Sequence, residues 1–147
     1  MEKIIFLDID GILNHEAFYK ERYEKIMNGE KLNHPYSEID SKCVDNLNKL
    51  IEDTDAKVVI SSTWRHSGID YCKDVLEYHG FEGEIIDITP NLRGEGCLRG
   101  NEILQWIRDN HKLVGDYILS RYRYDINEHY IEQLYLDLRM FAAYLRE

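Results

Sequence analysis

Asp8 and Asp10 close the apolar run Ile4-Ile5-Phe6-Leu7, and Gly11 follows them at once. Residues two apart in an extended chain point to the same side, so both carboxylates can face one pocket. Gly11 lets the backbone turn close to a ligand. Two carboxylates this close resist being ionised together. A cation near one of them lets it stay ionised as a nucleophile, while the other holds a proton for a leaving group. Phosphoryl transfer through an aspartyl-phosphate needs that division of labour. Asp8, Asp10 and Gly11 could also be a solvated strand end with a turn glycine, so their meaning depends on what stands at the other strand ends.

Those ends follow from the pattern of the chain. Ile4 to Leu7 reads as a strand buried on both faces. Residues from His15 to Asn33 are polar and rich in Tyr, Lys and Glu, and Asn33-His34-Pro35 breaks the pattern, which predicts a surface flap within 14–39 instead of a cap domain. Asp40 or Ser41 can cap a helix whose apolar positions Cys43, Val44, Leu47, Leu50 and Ile51 recur at helical spacing up to Asp55. A second β-branched run, Lys57 to Ile60, stops at Ser61-Ser62-Thr63-Trp64-Arg65. Ile69, Cys72, Val75 and Leu76 mark the next helix, which Gly80 ends.

Glu84 to Ile88 is a third expected strand, followed by a loop holding Pro90, Arg93, Gly94, Gly96 and Arg99. Ile103, Leu104 and Ile107 define a further helix, Tyr117 to Leu119 a fourth strand and Leu134 to Leu138 a possible fifth, before a terminal helix. Strands alternating with helices predict one α/β domain over residues 1–147, a three-layer Rossmann-like arrangement with a mostly parallel sheet. In such sheets the ligand site lies beyond the carboxyl ends of the strands. Asp8, Asp10, Ser61, Ser62, Arg93, Arg99 and Ser120 all fall there.

With these placements made, Ile5-Phe6-Leu7-Asp8-Ile9-Asp10-Gly11-Ile12-Leu13-Asn14 resembles the first signature of the haloacid dehalogenase (HAD) superfamily. Val58-Val59-Ile60-Ser61 resembles the second. Ser61 to Arg65, together with Arg99-Gly100-Asn101-Glu102-Ile103 and Trp106, is similar to the small HAD domains of RNA-repair proteins. The resemblance implies a magnesium-dependent phosphomonoester hydrolase. Asp8 would be its nucleophile and Asp10 its general acid and then base, with the Asp10 carbonyl also a Mg2+ ligand. Ser61 would bind the phosphoryl oxygens, and Arg99 would offset charge on the phospho-intermediate, a task suited to a fixed guanidinium. Ser62 and Arg65 are further candidates for substrate contacts. The fourth signature departs from the pattern. Leu119-Ser120-Arg121-Tyr122 stands where acidic metal ligands are expected, and Mg2+ prefers carboxylate and water oxygens. Asp125 is the nearest downstream carboxylate that could complete a site with Asp8 and Asp10, whereas Asp116 precedes the strand.

Composition narrows the partners. A formal net charge of -10 disfavours non-specific attraction to a polyphosphate, so a nucleic-acid end would need a local basic patch such as Arg93, Arg99, Arg121 and Arg123 could form. Cys43, Cys72 and Cys97 lack zinc-ligand spacing and read as reduced thiols of a cytoplasmic chain. No stretch is apolar enough to span a membrane, and no leader is recognisable. The six histidines form no metal-like pair, and Trp64 and Trp106 read as packing anchors. The expected substrate is a nucleotide, a nucleic-acid end or a small phosphometabolite, with no obligate protein partner evident. Two other readings stay open. One is a catalytically weakened phosphate-binding or regulatory domain in which Arg121 takes the cation's place. The other is a receiver-type domain whose phospho-acceptor would be Asp87.

Overall fold

A computed structural model of the chain describes residues 2–32, 36–92 and 99–110, together with the backbone of 114–119. Four parallel strands form one sheet in the order β3-β2-β1-β4, where β1 is Glu2–Leu7, β2 Lys57–Ile60, β3 Ile85–Ile88 and β4 Val114–Leu119. The chain steps outward from β1 to β3 and then returns to place β4 on the other side of β1. That reversal makes the carboxyl end of β1 the topological switch point, where α/β sheets open a crevice for ligands. Asp8 and Asp10 stand at that position. The expected strand and helix beyond Leu119 fall outside the described residues.

Side-chain alternation along β1 sorts the core into two layers. Ile5 and Leu7 face one side, packing with Val58, Ile60 and Ile85 against helices α2 (Ser41–Thr54) and α3 (Ile69–Tyr78). Cys43, Val44, Leu47 and Leu50 form the buried stripe of α2, and Cys72, Val75 and Leu76 that of α3. Ile4 and Phe6 face the other side, where Ile103 and Trp106 of α4 (Arg99–Asp109) cover them. Phe6 meets Trp106 edge-on at 5.4 Å. Burial of each such apolar side chain contributes about 1.5–3 kcal/mol. This is the expected three-layer α/β arrangement.

Helix ends are fixed by local chemistry. Asp40 caps α2 by accepting from the Lys42 amide at 3.0 Å, and Asp55 closes it in the left-handed region at φ 55°. The flap region contains helix α1 (Glu16–Met27), which has no buried residue. His15 caps it through Nδ1, which accepts from the Phe18 amide at 3.2 Å. Glu21 and Lys25 pair one turn apart at 3.3 Å, worth about 0.2–0.5 kcal/mol in this orientation.

Candidate active site at the carboxyl end of the sheet

Beyond Leu7 the pleat of β1 continues for three residues. Ile9 is fully buried, while Asp8 is half-buried and Asp10 exposed, so both carboxylates lie away from the core. The chain then turns at Gly11, whose φ of 82° is strained for a residue with a side chain. The Ile12 and Leu13 amides both donate to the Ile9 carbonyl, at 3.1 and 2.8 Å. Asn14, itself buried, locks the turn: its Oδ1 accepts from the Gly11 amide at 2.8 Å, and its Nδ2 donates to the Glu38 carbonyl at 3.1 Å and to Asp10 Oδ1 at 3.2 Å.

The end of β2 brings the second component. The Ser61 amide donates to the Leu7 carbonyl at 2.7 Å, which prolongs the ladder and holds Ser61 beside the acidic pair. Ser61 is 1% exposed, and its Oγ has no hydrogen-bond partner among the described residues. A buried hydroxyl in that condition costs free energy unless a ligand satisfies it. Ser62 behaves as a cap: its Oγ accepts from the Trp64 amide at 3.3 Å and starts a short 3₁₀ turn, Thr63–Ser67.

Arg99, the first residue of α4, reaches across both strand ends. Its Nη1 lies 2.9 Å from Asp8 Oδ1 and also donates to the Ser61 carbonyl. Asp8 Oδ1 further accepts from the Ile9 amide at 2.8 Å. Burial raises the Asp8 pKa above the ordinary carboxylate value of 3.8, opposed by the Arg99 charge and these hydrogen bonds. Trp64 completes the rim. Its indole N–H donates to Asp10 Oδ1 at 3.1 Å, and its ring lies 6.2 Å from that of Tyr71. From α1, Tyr19 stands close enough for the Asp10 and Glu38 charges to add to the effect of burial in raising its phenol pKa.

Arg65, expected as a substrate contact, is placed in a buried pair below the site. Its Nη2 lies 2.9 and 2.8 Å from the two oxygens of Glu102, its Nη1 donates to the Ser62 carbonyl at 2.7 Å, and Glu102 Oε2 also accepts from the Leu92 amide at 3.0 Å. Glu102 lies three residues after Arg99, so this clamp fixes the helix that carries Arg99. Asp87, the candidate receiver acceptor, lies within β3, where its Oδ2 accepts from the Trp106 indole at 2.7 Å and Oδ1 from the Ile88 amide at 2.8 Å. These contacts tie α4 to the sheet. Trp106 is thus a packing anchor as expected.

Among the described residues the atoms here that could ligate a metal are the oxygens of Asp8 and Asp10, which suit a hard cation such as Mg2+ that keeps several waters, although the Arg99 guanidinium already lies 2.9 Å from Asp8 Oδ1. Asp125, Arg93, Ser120, Arg121 and Arg123 lie outside the described residues, as does the side chain of Asp116. A second group, unforeseen from spacing, brings His15, Asp40 and Cys43 within 4.8 Å of one another. Its geometry is that of two linked caps. His15 Nδ1 accepts from Phe18, which assigns the ring proton to Nε2, and Nε2 then donates to Asp40 Oδ2 at 3.0 Å. A cation on Nε2 would move that proton to Nδ1, break the α1 cap and face the positive ends of two helices.

Asp8, Asp10, Ser61 and Arg99, singled out in the sequence, therefore converge beyond the carboxyl ends of β1 and β2. Asn14, Glu102 and the Trp64 N–H are the additions. Glu102 falls on the same helix face as Arg99 at i+3 and stands in the Arg99-Gly100-Asn101-Glu102-Ile103 segment, two signals that could have singled it out. Residues 4–120 match the family model for the HAD domain in Swiss Army Knife RNA repair proteins. No curated protein and no solved structure matches the chain.

Proposed function

Because this chain belongs to the family of HAD domains in Swiss Army Knife RNA repair proteins, we propose that it is a phosphomonoester hydrolase working through an aspartyl-phosphate on Asp8. The observation that carries this reading is Arg99 spanning Asp8 and the Ser61 carbonyl. One guanidinium thereby neutralises the nucleophile's surroundings and stands where charge accumulates on a transferring phosphoryl group. The unpartnered Ser61 Oγ supplies a donor for a phosphoryl oxygen. Asp10, exposed beside it, protonates the leaving oxygen and then accepts a proton from the attacking water.

Asp8 and the Asp10 carbonyl would hold Mg2+, with Asp125 as a third ligand. When bound, the ion supplies charge neutralisation between nucleophile and phosphate. Exposure of Asp10 and the lack of any buried residue in α1 favour a shallow flap over residues 14–39 and room for a bulky phosphomonoester such as a nucleotide or nucleic-acid end. Small phosphometabolites are the other class. Cys43 and Cys72 are buried and not joined in a disulfide, in keeping with a reducing cytoplasm. Among the described residues no helix is long and apolar enough to cross a membrane.

Phosphate release from an aryl phosphate, a nucleotide and a phosphorylated oligonucleotide, with and without Mg2+, tests the reading alongside Asp8→Asn. Turnover that requires Asp8 and the metal is expected. Absence of release by the unaltered chain across that panel would sink it in favour of a phosphate-binding domain.

A further inference from the structure

An exposed aspartate ordinarily samples several rotamers, but Asp10 is held by two N–H donors on one oxygen. Trp64 Nε1 lies 3.1 Å and Asn14 Nδ2 3.2 Å from Oδ1, while Oδ2 has no hydrogen-bond partner among the described residues. Each donor is itself anchored. Asn14 is 2% exposed and bonded to Gly11 and Glu38, and Trp64 packs on Tyr71, its carbonyl accepting from the Cys72 thiol at 3.6 Å. An oxygen that already accepts two N–H bonds is a poor place for a proton, because an O–H there would point at donors.

We propose that Trp64 and Asn14 are positioning residues that assign the two oxygens of Asp10 different tasks: Oδ1 as the fixed anchor and Oδ2 as the atom that carries and returns the proton. This rests on the hydrolase reading above. In the first half-reaction an Asp8 carboxylate oxygen bonds to phosphorus as the bond from phosphorus to the leaving oxygen breaks, and Oδ2–H gives its proton to that oxygen. In the second, water attacks the phosphorus of the acyl phosphate and gives its proton to Oδ2. Phosphate leaves and the Asp8 carboxylate is restored. The indole and amide donate throughout and exchange no proton.

A general acid matters most where the leaving group is poor, which separates positioning from mere packing. Trp64→Phe keeps the ring against Tyr71 and removes the N–H. The second-order constant kcat/KM, which ends at phosphoryl transfer to Asp8, should fall by roughly tenfold to a hundredfold for an alkyl phosphate, part of the 10²–10⁴-fold that general acid catalysis supplies. For nitrophenyl phosphate, whose leaving group departs without a proton, it should change by less than about threefold. Equal losses of kcat/KM on the two substrates, or none on the alkyl ester, would overturn the proposal. Lack of turnover by the unaltered chain would instead overturn the hydrolase reading.

A measurement independent of activity uses the full chain in ¹H–¹⁵N NMR. In Asp10→Ala the Trp64 indole N–H resonance should move and exchange faster, while that of Trp106, bonded to Asp87, stays in place. An unmoved Trp64 resonance would overturn the proposal even if Trp64→Phe failed to fold.

Discussion

Truncation of Glu102 probes the clamp that holds α4, which carries Arg99, to the end of β2. Arg65 and Glu102 have side chains only 6% and 8% exposed, and the carboxylate accepts three hydrogen bonds: two from Arg65 Nη2, one onto each oxygen, and one from the Leu92 amide. Among the described residues, Glu102→Ala leaves a buried guanidinium with the Ser62 carbonyl as its remaining acceptor, and Arg65 Nε already has no partner there. Removing one member of a buried pair costs about 3–5 kcal/mol. That is a large part of the 5–15 kcal/mol by which a domain is ordinarily stable. The thermal midpoint should drop by about 10 °C. Glu102→Gln, which still accepts from Leu92 and offers Arg65 one oxygen, should lose roughly 1–3 kcal/mol. Because the desolvation of both charges opposes the pair, the double variant Arg65→Met with Glu102→Leu should recover most of the loss. Urea unfolding with an unchanged m-value is the assay. A Glu102→Ala variant within about 1 kcal/mol of the parent, or a double variant no better than Glu102→Ala, would mean that the buried pair does not clamp α4.

Arg99→Ala should lower kcat on the order of 10²-fold, as loss of one charge-stabilising donor does elsewhere, and Arg99→Lys should restore part of it; steady-state kinetics on an aryl phosphate decides. Asp8 should destabilise the fold at neutral pH, since burial outweighs Arg99 and raises its folded pKa above 3.8. Its stabilising contribution is complete below that value and is lost as pH rises through the raised one. Asp8→Asn should therefore unfold at a higher urea concentration than the parent in chelator at neutral pH, and a lower midpoint would contradict this. Burial pushes the Cys72 thiol up to about 11, so in a Cys97→Ser background thiol reagents at pH 8 should modify it only as fast as the chain opens. Rapid stoichiometric labelling of Cys72 would be the opposing result.

Features governed by neighbours in the sequence were legible. The apolar runs of β1 and β2, the stripe of α2 and the stop at Asp55 follow from periodicity and strand-end chemistry, and they place Asp8, Asp10 and Ser61 without reference to the rest of the chain. Other features depend on partners far along it. Trp64 and Asp10 stand 54 residues apart, and Arg65 and Glu102 37 apart, so no local pattern joins them. Trp64 reads as packing because an indole's apolar body dominates its placement, and its N–H finds an acceptor only once β1 and β2 are side by side. The flap helix is faint for a physical reason: with no residue of α1 buried, no apolar stripe is needed. Helix α4 begins at Arg99, earlier than its apolar positions announce, because Glu102 and the Arg65 clamp secure its first turn. Ser62, expected as a substrate contact, instead has its Oγ engaged as the cap of the 3₁₀ turn, a role serine takes readily where a helix starts.

A hydrolase that works through Asp8 must carry phosphate on that residue during turnover. Chain incubated with Mg2+ and a ³²P-labelled phosphomonoester, quenched in acid within the first turnover and mapped by mass spectrometry, should carry an acyl phosphate on the peptide containing Asp8, with none in Asp8→Asn. Phosphate release with no label on Asp8, or label at Asp87 instead, would contradict the account.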